Sequence, residues 1–372
     1  MTYDVVTRGG GKRRAMAYPR RDFLKIVTMA AASVGLAQTL VPRIVEAAGK
    51  GLKPSVIWLH FQECTGCTES LLRTHHPEIG ELILDLVSLD YHETLFAAAG
   101  HQAEAALEEA MKKNAGKYVC VIEGAIPTKD GGIYCKIGNK TALELAKKVA
   151  DGAAAIIAIG SCASWGGVPS AEPNPTGATG APMVLTDKKV VTLPGCPANP
   201  YIFLGTVLQF VTLGTLPALD DKGRPLFAYA RTIHEDCPRR AHFDAGRFAE
   251  KYGDDGHRLG YCLYKLGCKG PATKASCSTM RFGDVDAWPI GVGHPCFGCT
   301  EKSVGFRVPL HQTVPIDRPT PPDTYPAVGA KQGRVSPLAT GLAGIVGGAL
   351  IGAGWAASSK LGDKAGDAKK ED

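Results

Sequence analysis

Pro54-Ser-Val-Ile-Trp-Leu-His60 runs directly into Phe61-Gln-Glu-Cys-Thr-Gly-Cys-Thr-Glu-Ser70. The first half is an apolar run of strand length, and the second leads into a helix-like stretch beginning near Glu69. Two thiols three residues apart, Cys64 and Cys67, therefore sit where a strand gives way to a helix. In open α/β sheets, ligands bind outside the carboxyl ends of the strands. A thiol pair at that place is positioned to hold a metal centre.

Outward from this stretch, apolar runs alternate with helical patterns. Leu71–Leu89 mixes a helix with a second strand, and Ala103–Lys113 reads as a helix with charges on its polar face. Tyr118–Ile122 reads as a strand, Thr141–Ala150 as a helix, and Ala153–Ile159 and Val190–Leu193 as further strands. This alternation predicts βαβ units and a parallel sheet. Cys162 follows one of these strands in Gly160-Ser-Cys-Ala, and Cys196 follows another in Pro194-Gly-Cys-Pro. Strand ends of a parallel sheet share one edge, so Cys64, Cys67, Cys162 and Cys196 are expected to converge there, with Glu123 on the same edge. Four thiolates suit zinc or an iron–sulfur cluster. Structural zinc usually draws on C-x2-C pairs about 15–20 residues apart. Here the other such pair, Cys296–Cys299, lies more than 200 residues away, and dispersed loop ligands favour a cluster. Cys120 alternates inside a strand and reads as a small buried hydrophobe, whereas Cys135 is left without a role.

The chain has 372 residues, a net charge of +6, 45 Gly, 25 Pro and 12 Cys. Part of the positive charge belongs to the N-terminal segment, and no basic stripe with interleaved aromatics points to nucleic acid. The glycines and prolines imply many turns and long ordered loops rather than a helical bundle. Twelve thiols in a chain this long call for several metal centres or many disulfides.

Both ends carry targeting signals. Tyr18-Pro-Arg-Arg-Asp-Phe-Leu-Lys25 precedes an apolar stretch from Ile26 to Val41, and Val45-Glu-Ala47 offers small residues for a signal peptidase. These are the three parts of an export signal, and the paired arginines assign residues 1–47 to the twin-arginine type. That route carries proteins already folded around their cofactors. Leu338–Ala357 is an uncharged stretch of 20 residues, just long enough to span a bilayer. Gly344, Gly348 and Gly352 give it a smooth face for close helix packing. Four lysines in the tail, residues 358–372, predict a cytoplasmic C-terminus.

Between these ends two regions are expected: residues 50–230 with the sheet, and residues 231–323 with weak periodicity and dense metal-ligand types. The second contains Cys237, Cys262, Cys268, Cys277, Cys296 and Cys299, six thiols in under 70 residues. Spacing alone does not partition them between sites, and three disulfides are an alternative that the export route disfavours. His234, three residues before Cys237, shares a side with it on a turn or helix; His242, His257 and His294 are less clearly placed.

Glu63-Cys-Thr-Gly-Cys-Thr-Glu69, Gly160-Ser-Cys-Ala163, Pro194-Gly-Cys-Pro197, His234-x-x-Cys237 and Cys296-Phe-Gly-Cys299 occur together in order. In this set the chain resembles the small subunit of membrane-bound nickel–iron hydrogenases, from Lys50 to about Pro321 and at both ends. The resemblance implies a flavodoxin-like parallel-sheet domain, a small irregular cluster domain and a C-terminal transmembrane helix. It implies that Cys64, Cys67, Cys162 and Cys196 bind a proximal [4Fe-4S] cluster. It assigns His234, Cys237, Cys262 and Cys268 to a distal [4Fe-4S] cluster, and Cys277, Cys296 and Cys299 to a medial [3Fe-4S] cluster. Pro289 stands at the family position where a fourth cysteine would complete a cube. Gly66 and Gly167 stand where some oxygen-tolerant members carry extra cysteines, which implies an oxygen-sensitive member.

The function implied is electron transfer. The family's large subunit splits hydrogen on nickel and iron, and this chain has no Arg-x-Cys-Gly-x-Cys paired with Asp-Pro-Cys-x-x-Cys. Electrons would pass from that partner through the three clusters to a membrane cytochrome b or another quinone-linked subunit, on the periplasmic side of the cytoplasmic membrane. Glu63 is a candidate for proton movement at the subunit interface, against a role in hydrogen bonding to a backbone amide. A stand-alone iron–sulfur carrier and a cluster subunit of a quinone reductase are the competing readings. The latter accounts for the proximal thiols but not for the six downstream.

Overall fold

The computed structural model describes residues 53–75 and 87–316. The expected export signal, membrane anchor and tail lie outside these residues. No helix among the described residues is long and apolar enough to cross a membrane.

Five parallel strands form the central sheet: β1 (Ser55–His60), β2 (Ser88–His92), β3 (Val119–Glu123), β4 (Ala155–Ile159) and β5 (Val190–Leu193), in the order β2-β1-β3-β4-β5. This is the flavodoxin-like order, in which the chain reverses direction across the sheet between β1 and β3. Every residue of β1, β3, β4 and β5 is buried, as continuous apolar runs require when both faces are covered.

Alternate side chains go to opposite faces. Val56, Trp58, Val119, Val121, Ile157 and Ile159 pack with Leu71 of α1 (Gly66–Leu72) and with α5 (Pro200–Leu213). Ile57, Leu59, Cys120, Ile122, Ile156 and Ala158 pack with Leu107 of α2 (His101–Lys113) and Leu145 and Val149 of α3 (Ala142–Asp151). Cys120 is fully buried in that layer, as its alternation predicts. A capping box starts α3, with Thr141 Oγ1 accepting from Glu144 N and the Glu144 carboxylate accepting from Thr141 N, a device that contributes about 1 kcal/mol. α4 (Gly160–Trp165) follows β4 without a loop.

After residue 230 regular structure thins to short helical turns such as Arg240–Asp244, Asp255–Arg258 and Cys277–Met280. A third apolar cluster organises this region, with Ile233, Leu263, Trp288 and Ile290 packed among Cys237, Cys268 and Cys296. Here the thiols themselves are core residues. Both regions belong to one compact unit. They are clamped together by Arg224, which bonds Asp220 at 2.8 Å and Glu301 at 2.6 Å while fully buried.

Candidate metal centres

The first thiol set forms at the carboxyl edge of the sheet, at the β1/β3 switch. Gln62 exchanges two backbone hydrogen bonds with Ala125, and Phe61 N donates to Glu123 O at 2.9 Å, so the loops after β1 and β3 are tied together. Gly124 permits this approach, because a Cβ there would lie 2.9 Å from the Phe61 carbonyl carbon. The helix begins at Gly66, earlier than the expected start near Glu69, because a buried carboxylate caps it. Glu123 Oε1 accepts from Cys67 N at 3.0 Å and Thr68 N at 3.2 Å, and Oε2 accepts from Thr68 Oγ1 and Trp58 Nε1. Cys67 is thereby fixed in the first turn of α1.

Cys162 lies in α4 and Cys196 just past β5, and the structure brings both to Cys64 and Cys67 as expected. A Cβ on Gly160 would sit 2.5 Å from Cys67 Sγ, so the start of α4 packs on that thiol without a side chain between. A Cβ on Gly66 would lie 3.0 Å from Cys64 Sγ, and one on Gly167 2.7 Å from Cys162 Sγ. Burial, then the charge of Glu123, lifts the Cys67 thiol well above its ordinary value, and burial, then Cys196, pushes Cys162 up to about 12. Thiols as withdrawn from water as Cys67, Cys162 and Cys196, gathered with the exposed Cys64, cannot share several negative charges by themselves. A bound cationic centre is what makes thiolates stable here, so the donor set fits a metal cluster.

Glu63 flanks this set. Its Oε1 accepts from Thr65 Oγ1 and lies 3.1 Å from His60 Nδ1, while its buried Oε2 has no partner among the described residues. The hydrogen bond weighed for Glu63 thus goes to side chains rather than to a backbone amide.

A second cavity is lined by Cys277, Cys296 and Cys299, with Pro289, Trp288, Phe282 and Phe297. Its thiols are lifted by burial first; next come Cys296 for Cys277, Cys277 for Cys299, and, for Cys296, the neighbouring Cys268 ahead of Cys299. Pro289 faces the same space as the three thiols and offers no donor atom. A third cavity is lined by His234, Cys237, Cys262 and Cys268, together with Arg239, Tyr264 and Ile290. Burial pushes Cys237 and Cys262 up to about 12. Burial, then the Arg240 charge, lowers His234 to about 4, which leaves the neutral imidazole that ligates metals. Its Nε2 is buried without a partner among the described residues, and its ring packs edge-on to Phe243 at 4.5 Å. An orphaned imidazole nitrogen in a cavity with three thiols fits a metal site. His242, His257 and His294 do not line it. The latter two contact the carbonyls of Gly293 and Pro295, both at 2.8 Å. Cys135 is half-buried against the α3 layer, away from all three sets, and none of the twelve cysteines is bridged.

Short connections join the sets in a line. Ser161 donates to Cys299 O at 2.7 Å while accepting from Gly195 N, linking the first set to the second. Lys269, the residue after Cys268, donates its backbone N–H to Cys296 O at 2.8 Å, linking the second set to the third. Sequence reading missed Ser161, Lys269 and the capping role of Glu123. Only the position of Glu123 at a strand end signalled it.

Comparison with known proteins identifies the family. Residues 64–210 match the family described as NADH ubiquinone oxidoreductase, 20 Kd subunit, and residues 229–310 match the family described as the C-terminal part of the NiFe/NiFeSe hydrogenase small subunit. The chain is 51% identical over 345 residues to the hydrogenase-2 small chain of Escherichia coli K12, covering 92% of this chain and 93% of that one. It belongs to the [NiFe]-hydrogenase small-subunit family. Another small subunit, that of the uptake hydrogenase of Azotobacter vinelandii, is 47% identical over 80% of this chain and 82% of its own length. Among solved structures, the reduced, active Ni-Fe-Se hydrogenase of Desulfomicrobium baculatum is similar with a TM-score of 0.66 and 36% identity, over 70% of this chain and all of that one. The first family match ends before the six downstream thiols and the second spans them. A quinone-reductase subunit therefore accounts for the sheet alone, and this hydrogenase small subunit for both regions.

Proposed function

We propose that this chain is the electron-transfer small subunit of a membrane-anchored [NiFe] uptake hydrogenase facing the periplasm, with its hydrogen-splitting site in a large-subunit partner. Cys64, Cys67, Cys162 and Cys196 would hold a proximal [4Fe-4S] cluster, Cys277, Cys296 and Cys299 a medial [3Fe-4S] cluster, and His234, Cys237, Cys262 and Cys268 a distal [4Fe-4S] cluster. When bound, these clusters supply one-electron relay between the large subunit and a membrane acceptor. The single observation that carries the reading is the line of three donor sets, joined through Ser161 to Cys299 and through Lys269 to Cys296.

The residues of this chain do the rest. Glu123 fixes Cys67 through the start of α1. Trp288, Phe282 and Phe297 keep water from the medial thiols. The neutral imidazole of His234 replaces one anionic thiolate, which raises the distal potential relative to an all-cysteine site. Pro289 withholds a fourth ligand from the medial site, which favours three irons there.

Redox-poised EPR of the purified complex, with iron, acid-labile sulfide and nickel analysis, tests the reading. Three distinct iron–sulfur signals and nickel in a co-purifying chain are expected. A protein with one cluster and no nickel-bearing partner would sink it. The export signal at 1–47 and the anchor at 338–357, docking a cytochrome b or another quinone-linked subunit, complete the proposal. Deleting residues 338–372 is expected to release an enzyme that still reduces artificial dyes with hydrogen. Loss of dye activity in a correctly folded heterodimer would assign that segment a wider role.

A further inference from the structure

Lys269 is a buried cation that the ligand sets do not use. It follows Cys268 and has 0% exposure. Its ammonium donates to the carbonyls of Gly267 at 3.4 Å, Pro309 at 2.9 Å and Leu310 at 3.0 Å. Three acceptors match the three N–H bonds of an ammonium, whereas a neutral amine has only two. The other buried lysine or arginine side chains among the described residues, Arg224 and Arg240, each meet a carboxylate. Lys269 meets none within ion-pair distance among the described residues, a strongly unfavourable burial unless another negative charge compensates it. It adjoins Cys268 in the chain and bonds the backbone of Cys296, so a ligand from each of two neighbouring donor sets flanks it, and an anionic centre held by those ligands is the compensating charge available there. Its backbone is locked between them: Lys269 N donates to Cys296 O at 2.8 Å, and buried Thr273 returns its hydroxyl to Lys269 O at 2.6 Å.

We propose that Lys269 is a fixed positive charge shared by the medial and distal sites, holding both centres at higher reduction potentials than their ligands alone would set. The inference rests on the cluster assignment above. An electron arriving at either centre adds negative charge in a region closed to water, where a nearby cation acts with little screening. One ammonium between two sites moves both midpoints together and leaves the proximal one alone. Lys269 is thus a positioning residue for charge and ligates nothing.

The test is redox-poised EPR on the complete holoenzyme, with iron and sulfide counted in every sample. Lys269→Gln keeps amide donors and removes the charge, while Lys269→Arg keeps the charge. In Lys269→Gln the medial and distal equilibria are each expected to shift at least tenfold toward the oxidised form, a fall of about 59 mV for a one-electron couple. The proximal midpoint and all midpoints of Lys269→Arg are expected to stay at wild-type values. A residue that only clamps the 309–311 turn behaves differently: its loss admits water, which favours the more highly charged reduced form and raises the midpoints. Unchanged or raised midpoints in Lys269→Gln overturn the proposal, as does an equal fall in Lys269→Arg. If Lys269→Gln fails to acquire the two clusters, native midpoints in an assembled Lys269→Arg support a need for charge. Loss of both clusters in both variants, with the proximal one intact, assigns Lys269 to packing and overturns it. A wild-type enzyme without medial and distal signals would instead sink the cluster assignment itself, a separate result.

Discussion

Glu123 and His234 set the local chemistry at opposite ends of the line of thiols. Glu123 holds two amides, a hydroxyl and an indole N–H on one buried carboxylate. Glu123→Ala strands all four donors, and each stranded buried donor costs about 1–3 kcal/mol. The expected outcome is a Tm lower by several degrees and proximal iron lost first, measured by thermal unfolding and iron counts on the heterodimer. At the other end, His234→Cys adds an anionic ligand to the distal set. Its midpoint is expected to fall while the other two hold, as read by redox-poised EPR; a distal midpoint that does not move would remove His234 from the ligand set.

Elements decide how much of this was legible beforehand. β1, β3, β4 and β5 were readable because a strand buried on both faces is apolar throughout, and each thiol of the first set follows one of them. The start of α1 was misplaced because its cap comes from Glu123, 56 residues along the chain from Cys67. A contact at that range leaves no periodic trace. The downstream thiols could be recognised as ligands but not sorted from spacing alone, since their neighbours are fixed by short turns rather than by a repeating element. The clamp formed by Asp220, Arg224 and Glu301 was equally invisible, being two charges in one loop and one in another. It yields a pH prediction. Burial would raise Asp220, but the bonds from Arg224 outweigh it and hold that carboxyl below its usual value. A folded value below the unfolded one stabilises above the unfolded pKa, about 3.9, and that stability is lost as pH falls through the folded value. Asp220→Asn is therefore expected to lower Tm against wild type at pH 7, with the gap closing below about pH 4. A gap independent of pH would mean the carboxylate's charge is not what matters.

At the scale of the whole molecule, the sheet region and the thiol-rich region differ in texture yet share one compact unit. Ser161 shows why that distinction is not modularity. Its hydroxyl accepts a hydrogen bond from Gly195 N in one loop of the sheet edge and donates one to the Cys299 carbonyl, 138 residues away in sequence. Arg224 makes a second such bridge to Glu301. Neither half has a finished surface without the other. Cutting the gene at residue 230 should therefore not yield two independent proteins. Residues 231–316 expressed alone are expected to aggregate without iron, and co-expression with residues 53–230 to recover a soluble, iron-loaded pair, as judged by size-exclusion chromatography. The bond from Ser161 to the Cys299 carbonyl can form only once the C-terminal third has been made, so the sheet edge is finished late in the synthesis of this chain, after all four thiols of the first set have emerged.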